Sequence, residues 1–291
     1  MMLLVREQVA RYKGNTSKIN SIQQMKNYMI RKGYSPKTIK SYVNHIKHLD
    51  HALNGKMSPE SIEDYLLTLL NERQLSHAYV NQMINAVKIY SQFRFKLNSE
   101  RLHGYIRPKS VHKLPKVMSK DDVKRLFEVT ENPKHKTELM LAYSCGLRVS
   151  EVANLKVTDI DSKRMVVVIH QGKGRKDRIT GLSTKMLVQL REYYKQYKPG
   201  EWLFENATKS GPISVRSLQN VFHQNREKAG IKKIYSFHAL RHSYATHLLE
   251  SGVSLRHIQQ LLGHKSSRTT ERYTHVSTQE IQKIINPLDL M

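Results

Sequence analysis

The sequence predicts a mainly α-helical protein in two domains, the second of which carries a small antiparallel β-sheet. Three observations lead there. Apolar residues recur at helical spacing through most of the chain. One β-branched run, Val166, Val167, Val168 and Ile169, leads into Gly172-Lys173-Gly174 and returns through Arg178, Ile179 and Thr180, as a hairpin with a glycine turn does. The length of 291 residues exceeds a usual single domain, and 39% hydrophobic content supplies apolar surface for ordinary cores.

Four helices account for the first hundred residues. Ile22, Met25 and Met29 form one stripe, stopped by Gly33. Ser35-Pro36 gives a cap and a first-turn proline to the second, with Ile39, Tyr42, Val43, Ile46, Leu49 and Leu53 on its inner face. Ser58-Pro59 repeats that start before Ile62, Tyr65, Leu66, Leu69 and Leu70, and a fourth stripe runs Val80, Met83, Ile84, Val87, Tyr90. The pattern lapses from Gly104 to Lys116, where two prolines and the bases Arg107, Lys109, Lys113 and Lys116 form a connector. After it Ser119 caps a helix whose inner face is Val123, Leu126 and Phe127. Beyond the hairpin, helical spacing returns near 183-197, 214-229, 238-250, 254-262 and 267-275, with Gly230, Gly252 and Gly263 as stops. The expected division is 1-103 for the helical bundle, 104-116 for the connector and 117-291 for the second domain with its tail.

Charge narrows the partners. Against 49 Lys and Arg stand 24 Asp and Glu, a net charge of +25. Such a surplus repels itself in a folded protein and is tolerated where a polyanion is the partner. Residues 1-103 hold 16 basic and 7 acidic residues, and 104-291 hold 33 and 17. Both parts are therefore basic, which fits a clamp with two faces on one nucleic-acid duplex better than a basic tail or a membrane-surface helix. Within it, Arg107, Lys109, Lys113 and Lys116 suit a strap along the sugar-phosphate backbone, or a solvated tether. A lone cysteine, Cys145, makes no internal disulfide, and no run approaches the ~18 to 20 apolar residues that cross a bilayer. The apolar start Met1 to Leu4 is too short for a signal peptide, so a cytoplasmic protein without a membrane partner is expected.

Nothing in the sequence matches a phosphate loop, a zinc spacing, a GxSxG elbow or an acidic cluster for paired magnesium ions. No cofactor and no metal are expected. Chemistry on a nucleic acid then falls to side chains. His238 and Arg241 are three apart and share a helix face; a guanidinium matches two phosphate oxygens, and an imidazole can bond a third or move a proton. Zinc between His238 and His242 is disfavoured, because Ala239 stands where a zinc protease helix has Glu and no third ligand is evident. Three further segments stand out: Cys145-Gly146-Leu147-Arg148-Val149-Ser150-Glu151; Lys173 at the hairpin tip beside Arg175, Lys176 and Arg178; and Leu262-Gly263-His264 followed by Thr270-Glu271-Arg272-Tyr273. Each alone fits ordinary packing or solvation.

Together, GLRVSEVANL, GKGRKDR, HALRHSYATHLLESG and IQQLLGHKSSRTTERYTH resemble, in order and over roughly 117-277, the tyrosine recombinase (phage integrase) family, most of all its Xer-like and transposon-type members. The preceding bundle is more loosely similar to that family's SAM-like core-binding domain. The resemblance implies a site-specific recombinase that cuts and rejoins double-stranded DNA through a 3′-phosphotyrosyl intermediate in integration, excision or resolution. It implies that Arg148 and Arg241 clamp the scissile phosphate, His238 and His264 complete the cradle, Lys173 is the general acid and Tyr273 the nucleophile. Glu151 is similar to the family's supporting carboxylate, and Arg175 and Lys176 join the connector bases in holding DNA. A homodimer on each site and a homotetramer at synapsis are implied, with the tail residues Ile281, Ile284 and Ile285 packing into a neighbour or back onto their own domain. Two alternatives share many of these features: a type IB topoisomerase, and a DNA-binding regulator without catalysis.

The chemistry is consistent with that implication. A phosphodiester repels nucleophiles by its own charge, and its pentacoordinate transition state carries more; guanidiniums fixed at the equatorial oxygens stabilise the latter preferentially. A tyrosine must lose a proton near pKa ~10, which a cationic cluster favours.

Overall fold

The computed structural model describes residues 18–95, 107–109, 114–170, 177–264 and 266–274. The chain divides into two compact units, Met1–His112 and Lys113–Met291.

The first unit contains α1 (Lys18–Arg31), α2 (Pro36–Ala52), α3 (Pro59–Asn71) and α4 (His77–Arg94). Their starts follow from the caps. The Thr38 amide donates to the Ser35 hydroxyl, Ser58 and Ser61 satisfy each other's backbone amides, and the Tyr79 amide donates to Ser76. Met25, Met29, Ile46, Leu49, Ile62, Leu69, Met83, Ile84, Val87 and Tyr90 are buried in one core, as their spacing predicts. Each such side chain contributes roughly 1.5–3 kcal/mol by leaving water. Part of the expected connector is held against α4. The Asn81 amide donates to the Pro108 carbonyl at 3.0 Å, His77 donates to the Lys109 carbonyl at 2.7 Å, and Arg107 donates to Asn85 at 2.7 Å. The positions 110–113, including Lys113, lie outside the described residues.

The second unit runs α5 (Lys120–Glu128), α6 (Pro133–Ser144), α7 (Val149–Ala153), β1 (Ile160–Asp161), β2 (Val166–Ile169), β3 (Arg178–Gly181), α8 (Thr184–Tyr197), α9 (Val215–Lys228), α10 (His238–Glu250), α11 (Leu255–Leu262) and α12 (Ser267–Glu271). The hairpin expected from the β-branched run is β2 and β3, paired antiparallel with Val167 opposite Thr180 and Ile169 opposite Arg178. Val167 and Ile169 face the core, while Val166 and Val168 are half-buried. A third strand, β1, pairs with β2 through Ile160 and Val167, and two residues are too few to show an alternation. Its sheet is antiparallel throughout, in the order β1-β2-β3.

One helix is shorter than its apolar spacing predicts. Expected over 267-275, α12 ends at Glu271, and residues 272–274 form a turn. There the Thr274 hydroxyl donates to the Glu271 carbonyl at 2.6 Å, while the Tyr273 and Thr274 amides reach back only three residues. A threonine hydroxyl that takes a backbone carbonyl competes with helix continuation. Tyr273 therefore sits in the turn.

A carboxylic acid lies in the core with no local signal for it. Glu138 on α6 is fully buried, neither side-chain oxygen has a hydrogen-bond partner, and burial pushes its carboxyl up to about 8, against a small opposing effect of Lys134. An unfolded carboxyl ionises near 4.5. Between those two values the unfolded chain has already lost the proton that the folded chain keeps. Stability therefore falls as pH rises through the window, by roughly 1.4 kcal/mol per pH unit. Glu138→Gln should raise the urea midpoint markedly at pH 8 and far less at pH 5. Equal gains at both pH values would show that this carboxyl does not titrate in the window.

Candidate active site

Helix ends bring the site together. Gly146, just past α6, has φ +59°, and a Cβ there would meet the Tyr244 ring. Its carbonyl accepts from Arg241 Nη1 at 2.6 Å. The carbonyl of Leu262, the last residue of α11, accepts from Arg241 Nη2 at 2.6 Å. Arg241 is only 1% exposed. Burial, followed by the charge of Arg148, lowers its guanidinium to about 9, so it stays charged at neutral pH.

Glu151, in the first turn of α7, binds two further guanidiniums. Arg148, the residue before the helix, donates through its backbone amide at 2.8 Å and Nη1 at 2.6 Å. Arg178, the first residue of β3, donates Nη1 and Nη2 to the two carboxylate oxygens, both at 2.7 Å. Burial alone would raise the Glu151 carboxyl, but bonding and charge from Arg178 and then Arg148 outweigh it and hold the group at about 2.

Beside this cluster lie three histidines and Tyr273. His264 Nε2 is 3.2 Å from Arg241 Nη2 and its Nδ1 is 2.9 Å from the Thr270 hydroxyl. Its ring stacks on Tyr273, with centroids 6.3 Å apart. His242 Nδ1 is 3.1 Å from the Tyr273 hydroxyl, and the His242 ring meets His238 edge-on at 4.6 Å. His238 is exposed, yet desolvation of its ring, then the charges of Arg241 and Arg148, push it down to about 4. Burial and neighbouring cations lower His242 and His264 to about 3. All three are neutral imidazoles at pH 7. Tyr273 is 2% exposed, and burial raises its phenol although Arg241, Arg272 and Arg148 oppose the rise. The resting hydroxyl therefore keeps its proton. Fixed cations, neutral ring nitrogens and a phenol in one cluster suit an anionic substrate attacked by oxygen.

Of the residues expected from sequence, Arg148, Glu151, His238, Arg241, His264 and Tyr273 come together here. Lys173, Arg175 and Lys176 fall within 171–176, outside the described residues. Arg107, Lys109 and Lys116 are exposed; Arg107 and the Lys109 carbonyl pair with α4 of the first unit, and the Lys116 ammonium donates to the Ile234 carbonyl at 3.0 Å. Sequence reasoning missed the roles of Arg178, His242 and Thr270. Arg178 read as one base among several in a turn and His242 as half of a rejected zinc pair, while Thr270 gave no signal. Cys145 is buried, and burial pushes its thiol up to about 11, which leaves it inert. Among the described residues no three His, Cys, Asp or Glu side chains converge as metal ligands would, and no helix is long and apolar enough to cross a membrane.

Residues 116–280 match the phage integrase family, and 22–94 match the phage integrase N-terminal SAM-like domain. The chain is 34% identical over 92% of its length to a putative integrase/recombinase, y4qK, of Sinorhizobium fredii, covering 88% of that protein. With the tyrosine recombinase XerA of Thermococcus kodakarensis it shares 32% identity over 90% of this chain and 93% of the relative. Among solved structures, XerA recombinase is 28% identical with a TM-score of 0.54, covering 92% of this chain and 98% of that one. A lambda integrase tetramer bound to a Holliday junction matches the fold at 18% identity and a TM-score of 0.73, over 93% of this chain and 80% of that one.

Arginine only donates, so His264 Nε2 must accept and Nδ1 must carry the proton that goes to Thr270. Nitrogen-15 NMR should find His264 as the neutral Nδ1-H tautomer from pH 5 to 8, and Thr270→Val should mix the tautomers. An imidazolium signal for His264 at pH 6 would refute this arrangement.

Proposed function

The chain belongs to the phage integrase family and is a tyrosine-type site-specific DNA recombinase, from which we propose that Tyr273 is its nucleophile and that Arg148 and Arg241 bind the scissile phosphate. The observation that carries this reading is the buried Tyr273 hydroxyl beside His242, in the cluster that Arg241 and His264 join by a hydrogen bond. Attack forms the bond from Tyr273 Oη to phosphorus and breaks the bond from phosphorus to the 5′ oxygen. The phenolic proton passes to the neutral His242 Nδ1, 3.1 Å from the hydroxyl, and the departing 5′ oxygen takes a proton from Lys173 in the segment between β2 and β3. His238, neutral, donates a ring N–H to a remaining phosphate oxygen, and His264 completes the cradle by accepting from Arg241 through Nε2 and so orienting that guanidinium. A 5′-hydroxyl from a partner strand then reverses the step, and because one phosphoester replaces another, no nucleotide or metal is required.

The same reading extends to partners. Double-stranded DNA fits the charge of +25, and Arg107, Lys109, Lys113, Lys116, Arg175 and Lys176 supply backbone contacts. A dimer on each site and a tetramer at synapsis are supported by the lambda integrase assembly on a Holliday junction. Exchange of the tail near Ile281, Ile284 and Ile285 would link protomers, and the working compartment is the cytoplasm.

Tyr273→Phe should bind duplex DNA with unchanged affinity and form no covalent adduct on a nicked site; an adduct with that variant would disprove the nucleophile. Arg148→Ala and Arg241→Lys should each slow adduct formation about 100- to 1,000-fold, or roughly 3–4 kcal/mol of barrier, while affinity changes only a few-fold. Losses of affinity as large as the losses of rate would reduce both arginines to binding residues.

A further inference from the structure

Arg178 is the base in this cluster to which the recombination chemistry gives no task. Its side chain is 7% exposed, and it spans three elements. From β3 its guanidinium grips Glu151 at the start of α7, and its Nε donates to the Leu261 carbonyl in α11 at 2.9 Å. Its aliphatic stem passes over Gly263, where an added Cβ would come within 2.7 Å of Arg178 Cδ. His264 is the next residue.

A carboxylate offers about four lone-pair directions. In Glu151 all are used: Oε1 accepts from Arg148 Nη1 and Arg178 Nη1, and Oε2 from the Arg148 amide and Arg178 Nη2. Arg241 Nη1 stands 3.7 Å from Oε2, close enough for attraction but outside hydrogen-bond reach. With Arg178 removed, two directions open on a buried anion, and the cations able to fill them are Arg241 and Arg148. We propose that Arg178 is a positioning residue for strand cleavage, saturating Glu151 so that Arg148 and Arg241 keep their charge and donors for the phosphate. This rests on the reading of those two arginines as the phosphate clamp. Three guanidiniums and one carboxylate leave the group at +2. Arg178→Ala lowers it to +1, and adding Glu151→Gln restores +2.

The test compares the full-length protein with Arg178→Ala, Glu151→Gln and the double variant, on a nicked duplex with enzyme saturating, reading the rate of covalent adduct formation. Arg178→Ala should be slowed about 100-fold, comparable to losing one preorganised donor, with DNA affinity held within a few-fold. The double variant should regain at least about tenfold of that loss. The pH of half-maximal rate should rise in Arg178→Ala and return in the double variant, a change that a merely structural role would not produce. If Arg178→Ala does not fold, Arg178→Gln with and without Glu151→Gln carries the same comparison. The proposal is overturned if the double variant is no faster than the single one, or if removing Arg178 leaves the rate within threefold of wild type. Failure of the nucleophile assignment would be seen separately, as an adduct formed by Tyr273→Phe, and does not alter this comparison.

Discussion

A charged guanidinium with 1% of its side chain accessible is the group the second unit has least freedom to accommodate. Stripping water from such an ion costs several kcal/mol, which only well-placed acceptors offset. Arg241 finds them in the carbonyls of Gly146 and Leu262, each 2.6 Å away. The Leu262 carbonyl is the last of α11, where the backbone carries partial negative charge, and the Gly146 carbonyl lies two residues past the end of α6. The ends of α6 and α11 are thereby fixed beside α10, each followed by a glycine in the left-handed region, Gly146 at φ +59° and Gly263 at φ +64°. Arg148 comes two residues after the first glycine and His264 directly after the second. The positions of two further members of the cluster thus follow from satisfying one buried cation.

Much of this was legible in the sequence because it is local. Serine caps, first-turn prolines and apolar stripes specify α1 to α4 without reference to anything distant, and the β-branched run specifies β2. What was not legible depends on partners far along the chain. Arg178 meets Glu151 across 27 positions, through a ladder register that pairs it with Ile169, and no spacing rule encodes that meeting. Glu138 stands in the stretch Lys136-Thr137-Glu138-Leu139, where a charge reads as solvent-facing; its burial is decided by how α6 packs. Tyr273 was recognisable by its motif, but its place in the turn after α12, where backbone bonds span three residues, was not.

The electrostatics divide the labour among residue types. His238, His242 and His264 are pushed well below neutrality, so their rings add directional hydrogen bonds and no charge. Among the described residues of the cluster, the positive charge is carried by guanidiniums. Arginine does not lose its proton near physiological pH, whereas lysine or histidine in so buried a cluster would be driven towards the neutral form. The attraction for a phosphate is consequently constant across the range in which cells operate. The pH dependence of the reaction falls instead on the two groups that must exchange protons, the Tyr273 phenol and the acid that serves the leaving oxygen.

That arrangement also suits a reaction that must run both ways. Cleavage and rejoining pass through the same kind of pentacoordinate phosphorus, so a group stabilising it lowers both barriers equally. A mobile cation would have to be ordered anew on each pass, whereas Arg241 is already tied to two backbone carbonyls before any substrate arrives. The cost of orienting it is met once, when the chain folds, and the stability of the helices it joins supplies the means. Reversible strand exchange without an external energy source therefore requires a rigid clamp, and in this protein rigidity and burial of the clamp are the same physical fact.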